Sequence, residues 1–221
     1  MANIKDKLLT GLVGQVIISH RYGKTYLRSK PTHVKNPRTP GQVNQRGKFK
    51  AASNFVSLNL VELIRPFWNP EARRNAMSGQ NLFCKLNTHA FTIDGVPDMA
   101  KLKLTSGDLG GIEEFKAVII EKNSICFNWH NNSRDKKTSD SNEFKLFGMN
   151  ANLKVEEIST DAIRKSETFL FDLNENVYSY LFCFFWNPKL ELASESEWVD
   201  CSQFWTSEIK LEELTYVPEV K

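Results

Sequence analysis

The order of structural signals between residues 11 and 50 constrains the fold of this chain more than any other feature. Apolar residues alternate along residues 13–20, which predicts a β-strand, and Tyr22-Gly23-Lys24 predicts a turn into a second strand over residues 25–28. Three prolines then break the chain before a helix signal begins. This order predicts a β-hairpin, an extended linker and a helix.

The first predicted helix covers residues 40–64. Thr39 is typical of a helix N-cap, and Pro40 suits the first helical position, where a missing N–H leaves no hydrogen bond unmade. We expect Pro66 to help end this helix. Its apolar side is predicted to consist of Phe49, Ala52, Phe55, Val56, Leu60, Leu63 and Ile64.

A second, shorter helix is predicted over residues 79–90. Ser78 is typical of its N-cap, and apolar residues at helical spacing give it an inner face. The residues around Trp68-Asn69-Pro70 are predicted to form a connecting loop or a broken helix between the two.

From about residue 91, short apolar alternations recur between clusters of Gly, Asn, Asp and Ser. This pattern is typical of an antiparallel sandwich. The predicted strands cover residues 101–105, 115–120, 124–130, 143–149, 168–173, 177–186 and 198–199. We therefore predict an α+β fold, in which an N-terminal β-hairpin plus two helices (domain 1–92) precedes an antiparallel immunoglobulin- or fibronectin-like β-sandwich (domain 93–221).

The four cysteines, Cys84, Cys126, Cys183 and Cys201, lie far apart in the sequence. A zinc site needs clustered thiolates or imidazoles on short spacers, so we predict no metal site, and we predict no cofactor. The alternation of apolar residues places Cys126 and Cys183 on strand faces opposite the core. We therefore predict free thiols and no disulfide between these two.

Motifs of enzyme chemistry are missing from the sequence. The histidines are dispersed and accompany no nucleophile motif such as GxSxG, and no phosphate-cradling glycine motif is present. An enzyme would need a cleft that gathers His20, His89 or His130 with carboxylates distant in the sequence. We expect no enzyme and no small-molecule substrate.

No apolar run approaches the roughly 18 residues that a membrane-spanning helix needs. The first residues also lack the apolar segment of a signal peptide. From these signals we expect a soluble, cytoplasmic protein that does not contact membranes.

Positive charge is concentrated early in the chain. No Asp or Glu lies between Lys7 and Val61, although nine Lys and Arg residues do. Residues 1–90 carry a formal charge of +12 and residues 91–221 a charge of −9, which together give the +3 of the whole chain. Such asymmetry indicates an anionic partner, or attraction between the two halves or between subunits.

A set of short motifs is concentrated in the first half of the chain, with looser ones in the second half. They are Gly11-Leu12-Val13-Gly14, the GKTYLRS run at residues 23–29, Thr39-Pro40-Gly41-Gln42 with Gln45, Arg46 and Phe49, Met77-Ser78 with Asn81, Asn128-Trp129, Tyr180, Phe182, Ser194, Ser196 and Trp198. In these motifs the chain resembles a bacterial family of unknown function. The resemblance implies a hairpin-and-helix region before a β-sandwich, and it implies no activity.

The basic hairpin and linker form the candidate binding surface. Its predicted residues are Arg21, Lys24, Arg28, Lys30, Lys35, Arg38, Arg46 and Lys50. We predict a non-enzymatic binding or scaffolding protein that uses this surface to contact an acidic protein partner or a second copy of itself. The alternative is a nucleic-acid-binding protein, in which the cations neutralise phosphates and Tyr22 and Tyr26 stack on bases. We favour a protein partner because no recognition helix or ribonucleoprotein motif accompanies the charge.

Overall fold

A computed structural model gives the fold of this chain. It describes residues 2–5, 8–21, 23–33, 36–121, 124–172 and 178–201. The chain divides into two compact units, Met1–Val43 and Asn44–Lys221, each of which is described by itself. In the described part of the chain, no helix has both the length and the apolar content needed to cross a membrane.

The first unit is a four-stranded antiparallel sheet. Its strands are β1 (Ala2–Lys5), β2 (Leu8–Val13), β3 (Val16–Arg21) and β4 (Lys24–Ser29), and they pair in the order β1-β2-β3-β4. The predicted hairpin corresponds to β3 and β4, and the two strands before it were not predicted.

The predicted first strand over residues 13–20 is wrong at its start. Val13 pairs with Val16, so the two residues between them form the turn that joins β2 to β3. Gly14 has a φ of +58° and Gly23, in the next turn, a φ of +73°. Glycine adopts these left-handed angles without a steric penalty, which explains why both tight turns contain one.

Helix α1 (Pro40–Leu58) begins at the predicted residue. The Gln42 N–H donates to Thr39 Oγ1 at 3.4 Å, which confirms Thr39 as the cap. The predicted apolar side is wrong at Phe49, which is 53% exposed.

The prediction that Pro66 helps end the helical run is also wrong. After α1 the chain continues as a π-helix over Leu60–Trp68, which contains Pro66, and then as α2 (Asn69–Arg74). The side chains of Leu63, Ile64, Phe67 and Trp68 are buried along this π-helix. Their burial outweighs the local tendency of proline to break a helix.

Helix α3 (Gly79–Asn87) is capped as predicted, because Ser78 Oγ accepts from the Asn81 N–H at 3.3 Å. A single 3₁₀ turn, Thr88–Ala90, completes the predicted span.

Two antiparallel sheets follow, and neither closes into a barrel. One has the order β5-β6-β9, and the other has the order β11-β10-β7-β8, with β12 also paired to β10. The strands are β5 (Glu113–Glu121), β6 (Ser124–His130), β7 (Glu143–Met149), β8 (Val155–Ile158), β9 (Thr168–Asp172), β10 (Tyr180–Asn187), β11 (Leu192–Ala193) and β12 (Glu197–Asp200). These elements confirm the predicted α+β fold with sandwich-like sheets.

The predicted strand at residues 101–105 is wrong. Side chains rather than a strand ladder hold this segment in place: Thr105 Oγ1 donates to the Ser194 carbonyl at 2.9 Å, and the Leu104 N–H donates to Ser196 Oγ at 3.1 Å. On the other side, Trp68 Nε1 donates to the Leu104 carbonyl at 2.8 Å.

Strand β10 is buried on both faces. Phe182 and Phe184 lie in one core with the helices, whereas Leu181, Cys183 and Phe185 lie in a second core between the two sheets. The second unit therefore has three layers, with the helices covering the outer face of the sheet that contains β7 and β10.

The predicted domain boundary between residues 92 and 93 stays a prediction, although residues on both sides of it share the first core.

Because β10 is buried on both faces, one prediction about the cysteines is wrong. Cys183 is only 1% exposed and faces the core between the sheets, so its assignment to the face opposite the core is wrong. Cys126 is half-buried on β6, outside that core, and all four cysteines are free.

Candidate functional site

Strand β4 is the edge of the first unit's sheet and carries the centre of the predicted surface. Because side chains alternate along a strand, Lys24, Tyr26 and Arg28 lie on one face. All six residues of β4 are exposed, and Tyr26 is 50% exposed. The two cations therefore flank an accessible aromatic ring along one strand.

The cations of this strand have no acidic neighbours in the sequence, because no Asp or Glu lies between Lys7 and Val61. Across the described part of the chain, no ion pair involves Lys24 or Arg28. Several cations of the second unit, in contrast, have carboxylate partners: Lys145 Nζ, for example, lies 3.1 Å from Glu143 Oε2 and 2.9 Å from Glu157 Oε1. Positive charge on β4 is thus left available for an external anion.

The other predicted residues fall into three groups. Lys30 and Arg38 are exposed on the linker of the first unit. Arg46 and Lys50 are exposed one helical turn apart on α1, in the second unit. Residue 21 pairs with Lys24 in the β3–β4 register, but the Arg21 side chain and the whole of Lys35 lie outside the described part of the chain.

Two of the histidines contact side chains of their own unit. His20 Nδ1 lies 2.8 Å from Thr25 Oγ1 across β3 and β4. His130 Nδ1 lies 3.9 Å from Glu167 Oε1, and both side chains are more than half exposed. Among the described residues, no group of three or more His, Cys, Asp or Glu side chains is placed to hold a metal ion.

In the polar loop between β6 and β7, the aspartate side chains accept hydrogen bonds from other residues of the same loop. Asp140 Oδ1 accepts from Ser133 Oγ at 2.6 Å and from Asn131 Nδ2 at 2.9 Å, and these hydrogen bonds lower the pKa of Asp140. Asp135 Oδ1 accepts from the N–H groups of Lys137 and Thr138, which likewise lowers its pKa. These carboxylates hold the loop in shape, as in Asx turns.

Arg164 is a buried cation that the sequence analysis missed. Its guanidinium donates to the carbonyls of Gly110 at 2.7 Å and Gly111 at 3.2 Å, and to the side-chain oxygens of Asn132 and Asn142. Its Cζ also lies 3.8 Å from the centre of the Phe185 ring. Burial lowers the pKa of Arg164 to about 10. The partners come from distant segments, so no local pattern signals this residue, and its role is to tie loops together at one end of the sandwich.

Comparison with known proteins adds a family but no activity. No curated protein matches this chain. A family model described as a family of unknown function, DUF6266, matches residues 8–168, which extend from the start of β2 to the start of β9. This match confirms the resemblance to a family of unknown function, and the chain belongs to DUF6266.

Proposed function

We propose that this protein is a non-enzymatic binding or scaffolding protein whose basic N-terminal region contacts an acidic protein surface. The observation that carries the proposal is strand β4, which presents Lys24 and Arg28 on one exposed face at the edge of a sheet. Opposite charges on the partner would steer the encounter and fix its orientation.

The distribution of charge between the two units supports this proposal. Residues 1–43 carry eight Lys and Arg residues and one acidic residue, whereas residues 44–221 carry 21 and 25. A second copy of the chain is therefore one source of an acidic surface, and self-association belongs to the proposal.

Nucleic-acid binding is the second candidate, and one observation favours it. Tyr26 is half exposed between Lys24 and Arg28 on the same strand face. Bases stack on aromatic rings in this setting while neighbouring cations track the phosphates. Such binding would weaken steeply as salt rises.

A charge-reversal experiment tests the proposal. The variant Lys24→Glu/Arg28→Glu is compared with the wild type and with Lys136→Glu/Lys189→Glu, which reverses two exposed lysines of the second unit and so changes the net charge equally. The probes are poly-L-glutamate, a single-stranded RNA of mixed sequence, and the protein itself in sedimentation velocity. All are measured at low and high NaCl.

We expect binding to poly-L-glutamate, or salt-sensitive self-association, that falls roughly tenfold or more in the β4 variant, because the reversed charges repel the acidic partner, and that is kept in the control variant. Tighter binding to RNA with a steep salt dependence would favour the second candidate. A wild type that stays monomeric at every salt concentration and binds neither polymer would contradict both.

We also propose that the sandwich is of the immunoglobulin or fibronectin type III kind. The pairing of β5 with β6 and of β6 with β9 matches strands A, B and E of that fold, and the order β8-β7-β10-β12 matches strands C′, C, F and G. Cross-strand contacts measured by NMR test this assignment, and a failure to find β6 paired with β9 would contradict it. The bacterial source and the cytoplasmic location stay predictions.

A further inference from the structure

Along the outer edge of β4, backbone groups at alternate residues pair with no other described strand. The Lys30 N–H donates to the Gln15 carbonyl at 2.7 Å, which makes these two residues a hydrogen-bonded pair across β3 and β4. Hydrogen-bonded and non-hydrogen-bonded pairs alternate along an antiparallel ladder. The register therefore directs the N–H and C=O groups of Thr25, Leu27 and Ser29 away from β3.

These groups face no other strand of the sheet, because β4 is the last strand in the order β1-β2-β3-β4. Every residue of β4 is exposed, and Leu27 is 68% exposed. An edge of this kind is a template for one more strand.

The side chains of β4 specify what kind of strand would fit. Lys24, Tyr26 and Arg28 lie on one face, and Leu27 lies on the other face between Thr25 and Ser29. A partner strand with acidic residues at alternate positions would place carboxylates beside both cations. The positions between them would place apolar side chains beside Leu27.

A second copy of β4 fits this edge poorly. Two antiparallel copies pair their outward-facing residues with each other, and the two registers with the largest overlap pair either Thr25 with Leu27 or Leu27 with Leu27. The first register sets Lys24 opposite Arg28, and the second sets Lys24 opposite Lys30. Like charges directly opposite each other destabilise a strand pair. The charge pattern of β4 thus disfavours self-pairing and favours an acidic strand.

We propose that β4 binds an extended segment of a partner protein in which acidic and apolar residues alternate, and that this segment adds to the sheet as a fifth strand. This proposal rests on the proposed function, because the same cations carry both. It goes further in naming the backbone of β4 as the recognition element, which is the mode called β-augmentation.

Synthetic peptides test the proposal without altering the protein. The probe is a blocked, fluorescent octapeptide of alternating Glu and Val, measured by fluorescence polarisation with the full chain. Two matched peptides carry N-methyl groups, one on its valines and the other on its glutamates. In antiparallel pairing with the glutamates beside Lys24 and Arg28, the valine N–H groups point at β4 and the glutamate N–H groups point away.

We expect the unmodified peptide to bind and the valine-methylated peptide to bind at least about tenfold more weakly, because each lost N–H removes a hydrogen bond. The glutamate-methylated peptide should keep most of the affinity, and the reverse order would indicate parallel addition. Hydrogen exchange of the Thr25, Leu27 and Ser29 amides should slow when the unmodified peptide is bound. Equal binding of both methylated peptides would overturn strand addition.

The result for Lys24→Glu/Arg28→Glu separates the two proposals. If this variant loses the peptide while methylation has no effect, strand addition fails and the charge-based function stands. If the octapeptide and poly-L-glutamate both fail to bind the wild type and the chain does not self-associate, both proposals fail.

Discussion

Replacement of Phe67 by alanine should destabilise the second unit strongly. This side chain lies on the π-helix and is 5% exposed. Its ring makes edge contacts with Phe147, Phe184 and Trp186, with ring centres 5.6, 5.1 and 5.0 Å apart. Truncating a buried phenylalanine costs about 3–5 kcal/mol in lost transfer energy and cavity formation. For a unit of this size, each kcal/mol lowers the melting temperature by about 2–4 °C, so we expect a fall of about 6–20 °C.

Urea unfolding followed by tryptophan fluorescence measures the cost of Phe67→Ala. The matched control is Val61→Ala on the same π-helix, because Val61 is 61% exposed and should change stability by no more than about 0.5 kcal/mol. A cost below about 1 kcal/mol for Phe67→Ala, or one equal to that of the control, would refute the packing of the π-helix against the sheet.

Three further predictions concern Asn59 and the cysteine thiols. Asn59 is 1% exposed, accepts from the Val155 N–H at 2.8 Å and donates to the Leu153 carbonyl at 3.0 Å, so Asn59→Ala should cost about 2–4 kcal/mol in urea unfolding. A cost under about 1 kcal/mol would show that this link is not formed. Burial raises the pKa of three thiols, those of Cys84, Cys183 and Cys201. We expect only the half-buried Cys126 to react quickly with a thiol reagent at pH 8 in the folded protein, and all four to react after unfolding. Because the pKa of Cys201 is about 12 when folded against 9.0 ordinarily, the unfolded chain loses protons first, and stability should fall as the pH rises from about 9 towards 12.

Strand β6 shows where sequence patterns predict this fold well. Its predicted bounds agree with Ser124–His130 because only one of its faces is buried, so apolar and other residues alternate cleanly. Helix α1 was likewise located at its first residue, because the cap of Thr39 is a local signal.

Strand β10 and the π-helix show where such patterns fail. Helices cover one face of β10 and a second sheet covers the other, so its alternation could not show that Cys183 faces a core. Pro66 signals a helix end locally, but the burial of Phe67 and Trp68 beyond it is a tertiary effect. Arg164 could not be found for the same reason, because its partners are brought together only by the fold.

The binding role of the candidate surface stays a prediction. The lack of acidic residues between Lys7 and Val61 located a concentration of positive charge in the sequence. It could not show that β4 is a sheet edge, because that depends on where β1 and β2 pair.

The salt dependence of binding to poly-L-glutamate tests the account most directly. The wild type and Lys24→Gln/Arg28→Gln are compared from about 50 to 500 mM NaCl, a range over which the screening length shortens about threefold. We expect the wild type to bind poly-L-glutamate at low salt and the neutralised variant to bind it more weakly. The affinities of the two proteins should converge at high salt. Identical affinities for the two proteins at every salt concentration would contradict the claim that the cations of β4 form the attachment surface.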